Sequence, residues 1–139
     1  MALRAKDLKV GDVREEVVIE NLTRTQLVMY AGASGDYNPV HTDEVFATKI
    51  AGYPTVFAHG MLSMGWLGQF LVQAGGDGSV RKFRSRFAKI TWPGDVITCR
   101  GVVTAVRDEG GRRIVDCDIW TETQSGERKV TGTATLALA

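Results

Sequence analysis

The sequence predicts an α+β fold in which a long antiparallel sheet curls around one very apolar helix, and three observations carry that prediction. Helical patterns are confined to the part of the chain ahead of Gly75-Gly-Asp-Gly78. Beyond that break the residues alternate in four segments of strand length, separated by turn-forming clusters. Between the two regimes lies Gly60 to Ala74, whose apolar residues run nearly all the way round, the pattern of a helix enclosed on most sides. Helices gathered first and strands afterwards read as α+β rather than as alternating βαβ units.

In order along the chain, Leu8-Lys-Val-Gly-Asp-Val13 carries a Gly-Asp turn, and Val17, Val18 and Ile19 mark a first strand over Arg14 to Glu20. Thr23 or Thr25 is placed to cap a helix through Leu27, Val28, Met29 and Tyr30 to Ala33. Thr42 or Asp43 caps a second short helix, with Val45, Phe46 and Ile50 on its apolar side and Gly52 ending it. The later strands are Val80 to Trp92, Val96 to Arg107, Arg112 to Thr123 and Arg128 to Leu138. Hairpin turns join them at Pro93-Gly-Asp95, Asp108-Glu-Gly-Gly111 and Gln124-Ser-Gly-Glu127. In the second of these strands Val96, Thr98, Val102, Thr104 and Val106 share one parity, and Ile97, Cys99, Val103 and Ala105 the other. In the last, Val130, Ala134, Leu136 and Leu138 form an apolar face opposite Lys129, Thr131, Thr133 and Thr135. A sheet this long must curl, and the apolar helix is the natural filling of its concave face, the arrangement called the hot-dog fold. The final strand carries no proline and little charge after Lys129, so it reads as an unprotected edge, and at least a dimer is expected.

At 139 residues the chain suits one domain, 1–139, with a real core. Its 44% hydrophobic and 24% charged content is that of an ordinary globular protein, and a net charge of +1 argues against nucleic acid or an anionic membrane as partner. Arg81, Lys82, Arg84, Arg86 and Lys89 form the one dense basic cluster, either a solvated strand face or a contact for the phosphates of a carrier. Cys99 and Cys117 lack metal-ligand spacing and read as buried reduced thiols, in keeping with a cytoplasmic protein. Met1-Ala-Leu-Arg-Ala-Lys-Asp7 has no signal-peptide apolar core, and no apolar run is long enough to span a bilayer.

The unusual chemistry is concentrated between Tyr30 and Gly65, which holds both histidines of the chain. Asp36 and His41 flank a tight turn: Gly35 permits unusual φ, Asn38 favours turning, and Pro39 fixes φ. A carboxylate and an imidazole on one rigid loop can share a water, each tuning the other's proton affinity. His59-Gly60 then opens the apolar helix, where a bare backbone N–H aided by the helix dipole faces any developing negative oxygen. Base, water position and oxyanion donor lie close together in sequence, and no metal, flavin or nicotinamide site is visible.

These residues carry a resemblance. Tyr30-Ala-Gly-Ala-Ser34-Gly35-Asp36-Tyr-Asn38-Pro39-Val40-His41, followed by Ala47, resembles the signature of the MaoC-like (R)-specific, or type 2, enoyl-CoA hydratases. His59-Gly60-Met61-Leu62 resembles the second block of that family, and Trp92-Pro93-Gly94-Asp95 its turn between two strands. The resemblance spans nearly the whole chain and implies a hot-dog fold and a cofactor-free lyase. Its reaction would be reversible hydration of a trans-2-enoyl thioester of coenzyme A or acyl carrier protein to the (3R)-3-hydroxyacyl thioester. By the same resemblance Asp36 and His41 activate the water, and the Gly60 N–H polarises the thioester carbonyl. Asn38, His59, Met61 and Leu62 are the candidate substrate-contacting residues. Asn38 also serves as a turn-former, and Met61, Leu62 and Met64 as core residues lining an acyl channel.

Two departures stand out. Ala33 replaces a larger residue or glycine of the family pattern, a small change in packing. Gly65 stands where some relatives place a serine that orients the aspartate, and Ser63, two positions earlier on a helix, cannot face the same way. A similar His-Gly-Met-Leu-x-Met-Gly run in the catalytic subunit of a mycobacterial (3R)-hydroxyacyl-ACP dehydratase keeps a heterodimer beside the homodimer. The alternatives in function are an acyl-thioesterase and a non-catalytic partner subunit. Against the first stands the Asp-x-Asn-Pro-x-His loop, and against the second the presence of Asp36, His41 and Gly60.

Overall fold

The computed structural model describes residues 5–139. Residues 1–4, part of the segment read as lacking leader character, lie outside the described residues. Five strands, β1 (Val13–Ile19), β2 (Val80–Phe87), β3 (Ile97–Glu109), β4 (Arg112–Glu122) and β5 (Arg128–Leu138), form one antiparallel sheet in the order β1-β3-β4-β5-β2. Two α-helices precede the last four strands, α1 (Arg24–Ser34) and α2 (Gly60–Gly75). Helix α2 lies on the concave face against β2, β3, β4 and β5, which is the hot-dog arrangement.

Local chemistry sets the helix ends. Thr23 caps α1 in a reciprocal box: its hydroxyl accepts the Gln26 N–H, and the Gln26 side chain accepts the Thr23 N–H at 2.9 Å. Gly35 closes α1 in the left-handed region, at φ +74°, and donates to the Ala31 carbonyl. The buried face of α2 is Ser63, Trp66, Leu67, Phe70, Leu71 and Ala74, packed on Cys99, Val103, Val115, Ile119, Val130, Ala134, Leu136 and Leu138 of the sheet. Each large side chain buried there contributes about 1.5–3 kcal/mol relative to exposure.

Several expectations need correction. Helix α2 is enclosed on one side only within the single chain; Met61, Gly65 and Val72 lie exposed on the other. The second short helix is a π-helical turn, Phe46–Ile50, closed by Ala51 N–H to Phe46 C=O at 2.9 Å. The wider winding turns Ala47 into the core and leaves Val45 and Ile50 exposed, contrary to the expected apolar side. Pro93-Gly-Asp95 is a turn but not a hairpin, because β2 pairs with β5 and β3 with β1 and β4. A turn triplet specifies that the chain reverses, not which strand it meets. Gly94, at φ +91°, instead staples the loop before α1, donating to the Leu22 carbonyl at 2.7 Å. A register shift between Val103 and Ala105 breaks the parity of β3, so Val106 packs on the core with Val103. Strand β5 keeps its expected apolar face, but Lys129, expected on the opposite face, is buried at a register shift, and the strand is interior, so the sheet edges are β1 and β2.

Candidate active site

Three segments meet at the N-terminus of α2. The first is Asp36 to His41, turned by Asn38, whose side chain accepts the Val40 N–H at 3.2 Å. The second is the extended stretch before α2. Phe57 N–H reaches the Val40 carbonyl at 3.3 Å, and Ala58 N–H the Thr91 carbonyl at 3.0 Å, so the stretch is tied on both sides. The third is the first turn of α2, where neither Gly60 nor Met61 donates its N–H to any group among the described residues. His59 gives no side-chain cap, so these donors and the helix dipole are left pointing outward.

Each imidazole has a carbonyl partner, and the partner decides its tautomer. His41 Nδ1–H donates to the Phe57 carbonyl at 2.6 Å, so its Nε2 is the bare, basic nitrogen. His59 Nε2–H donates to the Asp36 carbonyl at 3.1 Å, leaving Nδ1 bare and without a partner among the described residues. The two rings stack at 3.8 Å between centroids and 25° between planes. Burial lowers the pKa of His41 below its ordinary value; the bond to Phe57 opposes this, His59 adds to it, and Asp36 opposes it. The Asp36 carboxylate is exposed and accepts the Asn38 N–H at 3.2 Å. Asn38 and His59, rather than a residue at 65, therefore hold the aspartate segment; a β-carbon at Gly65 would meet nothing within 4 Å.

One ligand atom each from Asp36, His41 and His59 falls within 4.8 Å of the others. An ion with bonds of about 2.1 Å needs its ligand atoms roughly 3.4 Å apart and aimed at one point. His41 Nδ1 and His59 Nε2 are already engaged by carbonyls, which leaves one nitrogen of each ring for any shared ligand. Beside Gly60 opens a cleft of about 260 Å³, walled by Phe57, Phe87, Ser63 and Thr91. A second cavity of about 210 Å³ lies at the far end of α2 around Phe70, Leu71 and Val103, and shares no residue with this site.

The structure thus brings Asp36, His41, His59 and Gly60 together, with Asn38 as the turn between them. Met61 is 55% exposed beside Gly60 and is not a core residue, whereas Leu62 packs against the core. Sequence reading missed Phe57 and Phe87; neither stands in a motif, and only the folded chain places them against His41 and Gly60.

Residues 7–126 match the family described as MaoC like domain. The (R)-specific enoyl-CoA hydratase of Aeromonas caviae is 31% identical over 98% of this chain and 99% of its own. The chain belongs to the MaoC-like family. The solved (R)-hydratase of A. caviae has a TM-score of 0.83 with it at 27% identity, covering 96% of this chain and 99% of that one. Family membership therefore extends to the hot-dog architecture as a whole. Another family relative, 3-hydroxyacyl-thioester dehydratase Y of Mycobacterium tuberculosis, is 31% identical over 78% of this chain. The chain spans only 37% and 30% of the length of the first two curated relatives it matches.

Proposed function

We propose that this chain, as a single domain over 1–139, reversibly hydrates trans-2-enoyl thioesters of coenzyme A or acyl carrier protein to (3R)-3-hydroxyacyl thioesters. The observation that carries the reading is the grouping of the Asp36 carboxylate with His41, whose bare nitrogen is Nε2, beside the unpartnered N–H groups that open α2. Asp36 and His41 hold one water. As its oxygen bonds to C3, His41 takes a proton, and the electron pair of the C2–C3 double bond moves toward the thioester oxygen. The Gly60 N–H stabilises that enolate-like oxygen, a contribution of about 3–4 kcal/mol for one such donor. The proton then returns from the pair to C2 on the same face, and the thioester carbonyl is restored. Acid–base help of this kind adds roughly 10²–10⁴-fold.

Asn38 shapes the turn, and Met61, at the mouth of the site, contacts the thioester arm. Leu62 acts from behind, by packing. The free thiols suit a reducing compartment such as the cytoplasm; burial pushes Cys99 up to about 12 and Cys117 up to about 11. No helix among the described residues is long and apolar enough to cross a membrane. The test is loss of the conjugated-thioester absorbance of crotonyl-CoA on adding the chain, with chiral analysis of the product. Release of free thiol without hydration would favour a thioesterase instead.

A further inference from the structure

We propose that His59 is the positioning residue of this centre, tying the backbone of Asp36 through Nε2–H and backing the ring of His41, so that one side chain sets the spacing of the water-holding pair. The inference rests on the function proposed above and assigns His59 a role apart from substrate contact.

Four observations converge on it. The bond to the Asp36 carbonyl spans 23 positions of sequence and joins two segments that otherwise meet only through His41 and its neighbours. The stacked face at 3.8 Å, together with the Phe57 edge at 5.0 Å, sets the plane of a His41 ring whose one hydrogen bond fixes only Nδ1. Tyr30 meets His59 edge-on at 4.8 Å from α1 and keeps it against His41. Finally, His59 is 1% exposed yet leaves Nδ1 without a partner among the described residues. A buried acceptor left bare carries a desolvation penalty that a phenylalanine filling the same space would avoid. Stability alone does not account for a histidine here. Because His59 also directly precedes Gly60, the residue that ties Asp36 is anchored to the same turn of α2 that offers the oxyanion donors.

Two variants separate the two contacts. His59→Gln places an amide N–H where Nε2 stands and keeps the tie to Asp36 without the stacked ring. His59→Phe keeps a ring against His41 and loses the tie. The groups whose charge acts on His41 are His59 and Asp36, and Tyr30 is the further titratable group packed on His59. Nuclear magnetic resonance of the whole chain then reads the His41 titration and the Tyr37 amide, which shares its peptide unit with the Asp36 carbonyl. The His41 midpoint should rise in both variants, since the electrostatic effect of His59 that lowers it is removed. The Tyr37 amide should shift in His59→Phe and hold in His59→Gln. In turnover, kcat should fall about 10-fold to 100-fold in His59→Phe, with KM little changed, and recover most of that loss in His59→Gln. An unmoved His41 midpoint, or equal behaviour of the two variants, overturns the proposal. If the wild-type chain hydrates no enoyl thioester, the function proposed above falls, and the two resonances still decide the role of His59.

Discussion

Phe87 occupies the space that a side chain on residue 60 would need: a β-carbon built on Gly60 stands 2.5 Å from the Phe87 Cδ2. Glycine at the start of α2 therefore does more than leave an N–H bare; it lets the end of β2 close over the helix terminus and form one wall of the cleft. We expect Gly60→Ala to lose activity and about 1–3 kcal/mol of stability through overpacking. Phe87 is 49% exposed, so its ring can leave, and Gly60→Ala/Phe87→Ala should regain the stability. Thermal unfolding of wild type and the two variants checks this; a double variant no more stable than Gly60→Ala would show that the clash is not with Phe87.

Asp36→Asn and His41→Ala should each lower kcat by at least about 10²-fold while leaving the fold intact. Because both groups hold the same water in the proposed mechanism, Asp36→Asn/His41→Ala should be scarcely worse than the more damaging single change. Initial rates with crotonyl-CoA complete the double-mutant cycle. Losses that multiply would mean the two side chains serve separate steps.

The depressed pKa of His41 carries a sign for both activity and stability. The base must be neutral, so kcat/KM should hold as pH falls past the ordinary value of 6.5 and drop only below it. For stability, the unfolded chain takes up the proton first. His41 therefore contributes stability that is fully present above 6.5 and is lost as pH falls through its lower folded value. A pH series of denaturant midpoints on wild type and His41→Ala isolates the contribution. A wild-type acid limb in kcat/KM above 6.5 would contradict a buried neutral base.

Much of this was legible in the residues, where the deciding interactions are local. The Thr23–Gln26 box, the Gly35 terminus and the Asn38-Pro39 turn each involve neighbours a few positions apart. The start of β5 follows from the turn Gln124-Ser-Gly-Glu127 ahead of it. Strand β2 ends early, at Phe87, because both Ala88 and Lys89 send their N–H to one carbonyl, that of Lys129, which breaks the ladder. No periodicity announces that. Strand order was not legible either, since placing β5 inside and β2 outside depends on which strand covers α2 after it packs. At the site, the types Asp36, His41 and Gly60 were readable as chemistry. The tautomer of His41 was not, because its partner carbonyl at Phe57 lies 16 positions away and is brought there by the fold.

Gly132 offers a test of the sheet independent of any activity. It sits in β5 between β2 and β4, and a β-carbon there would collide with the backbone carbonyl of Arg84 in β2. Backbone cannot step aside as the Phe87 ring can. Gly132→Ala should therefore cost more than Gly60→Ala and loosen the pairing of β2 with β5. Amide exchange of β2 would report the loosening, and normal protection in a stable Gly132→Ala protein would refute it.

The last expectation concerns assembly. The free edges of the sheet are β1 and β2, and α2 packs beside β2 with its uncovered side, Met61, Gly65 and Val72, exposed, as is Phe87 at the end of β2. Strand β2 carries Lys82, Arg84 and Arg86 on one face, which discourages indiscriminate edge pairing but not a specific partner. Apolar side chains of this size beside an open strand edge are what a second chain would bury, and oligomers of one chain usually close with two-fold symmetry. We expect a dimer at micromolar concentration with the active site close to the interface, since Met61 follows Gly60 directly. Val72→Glu puts a charge on that uncovered side, remote from Asp36 and His41 in sequence, and should weaken the dimer without unfolding the chain. Sedimentation of wild type and Val72→Glu decides the matter. A fully active wild-type monomer of 15.1 kDa would remove the argument, whereas an inactive chain rescued by a second protein would select a heterodimer.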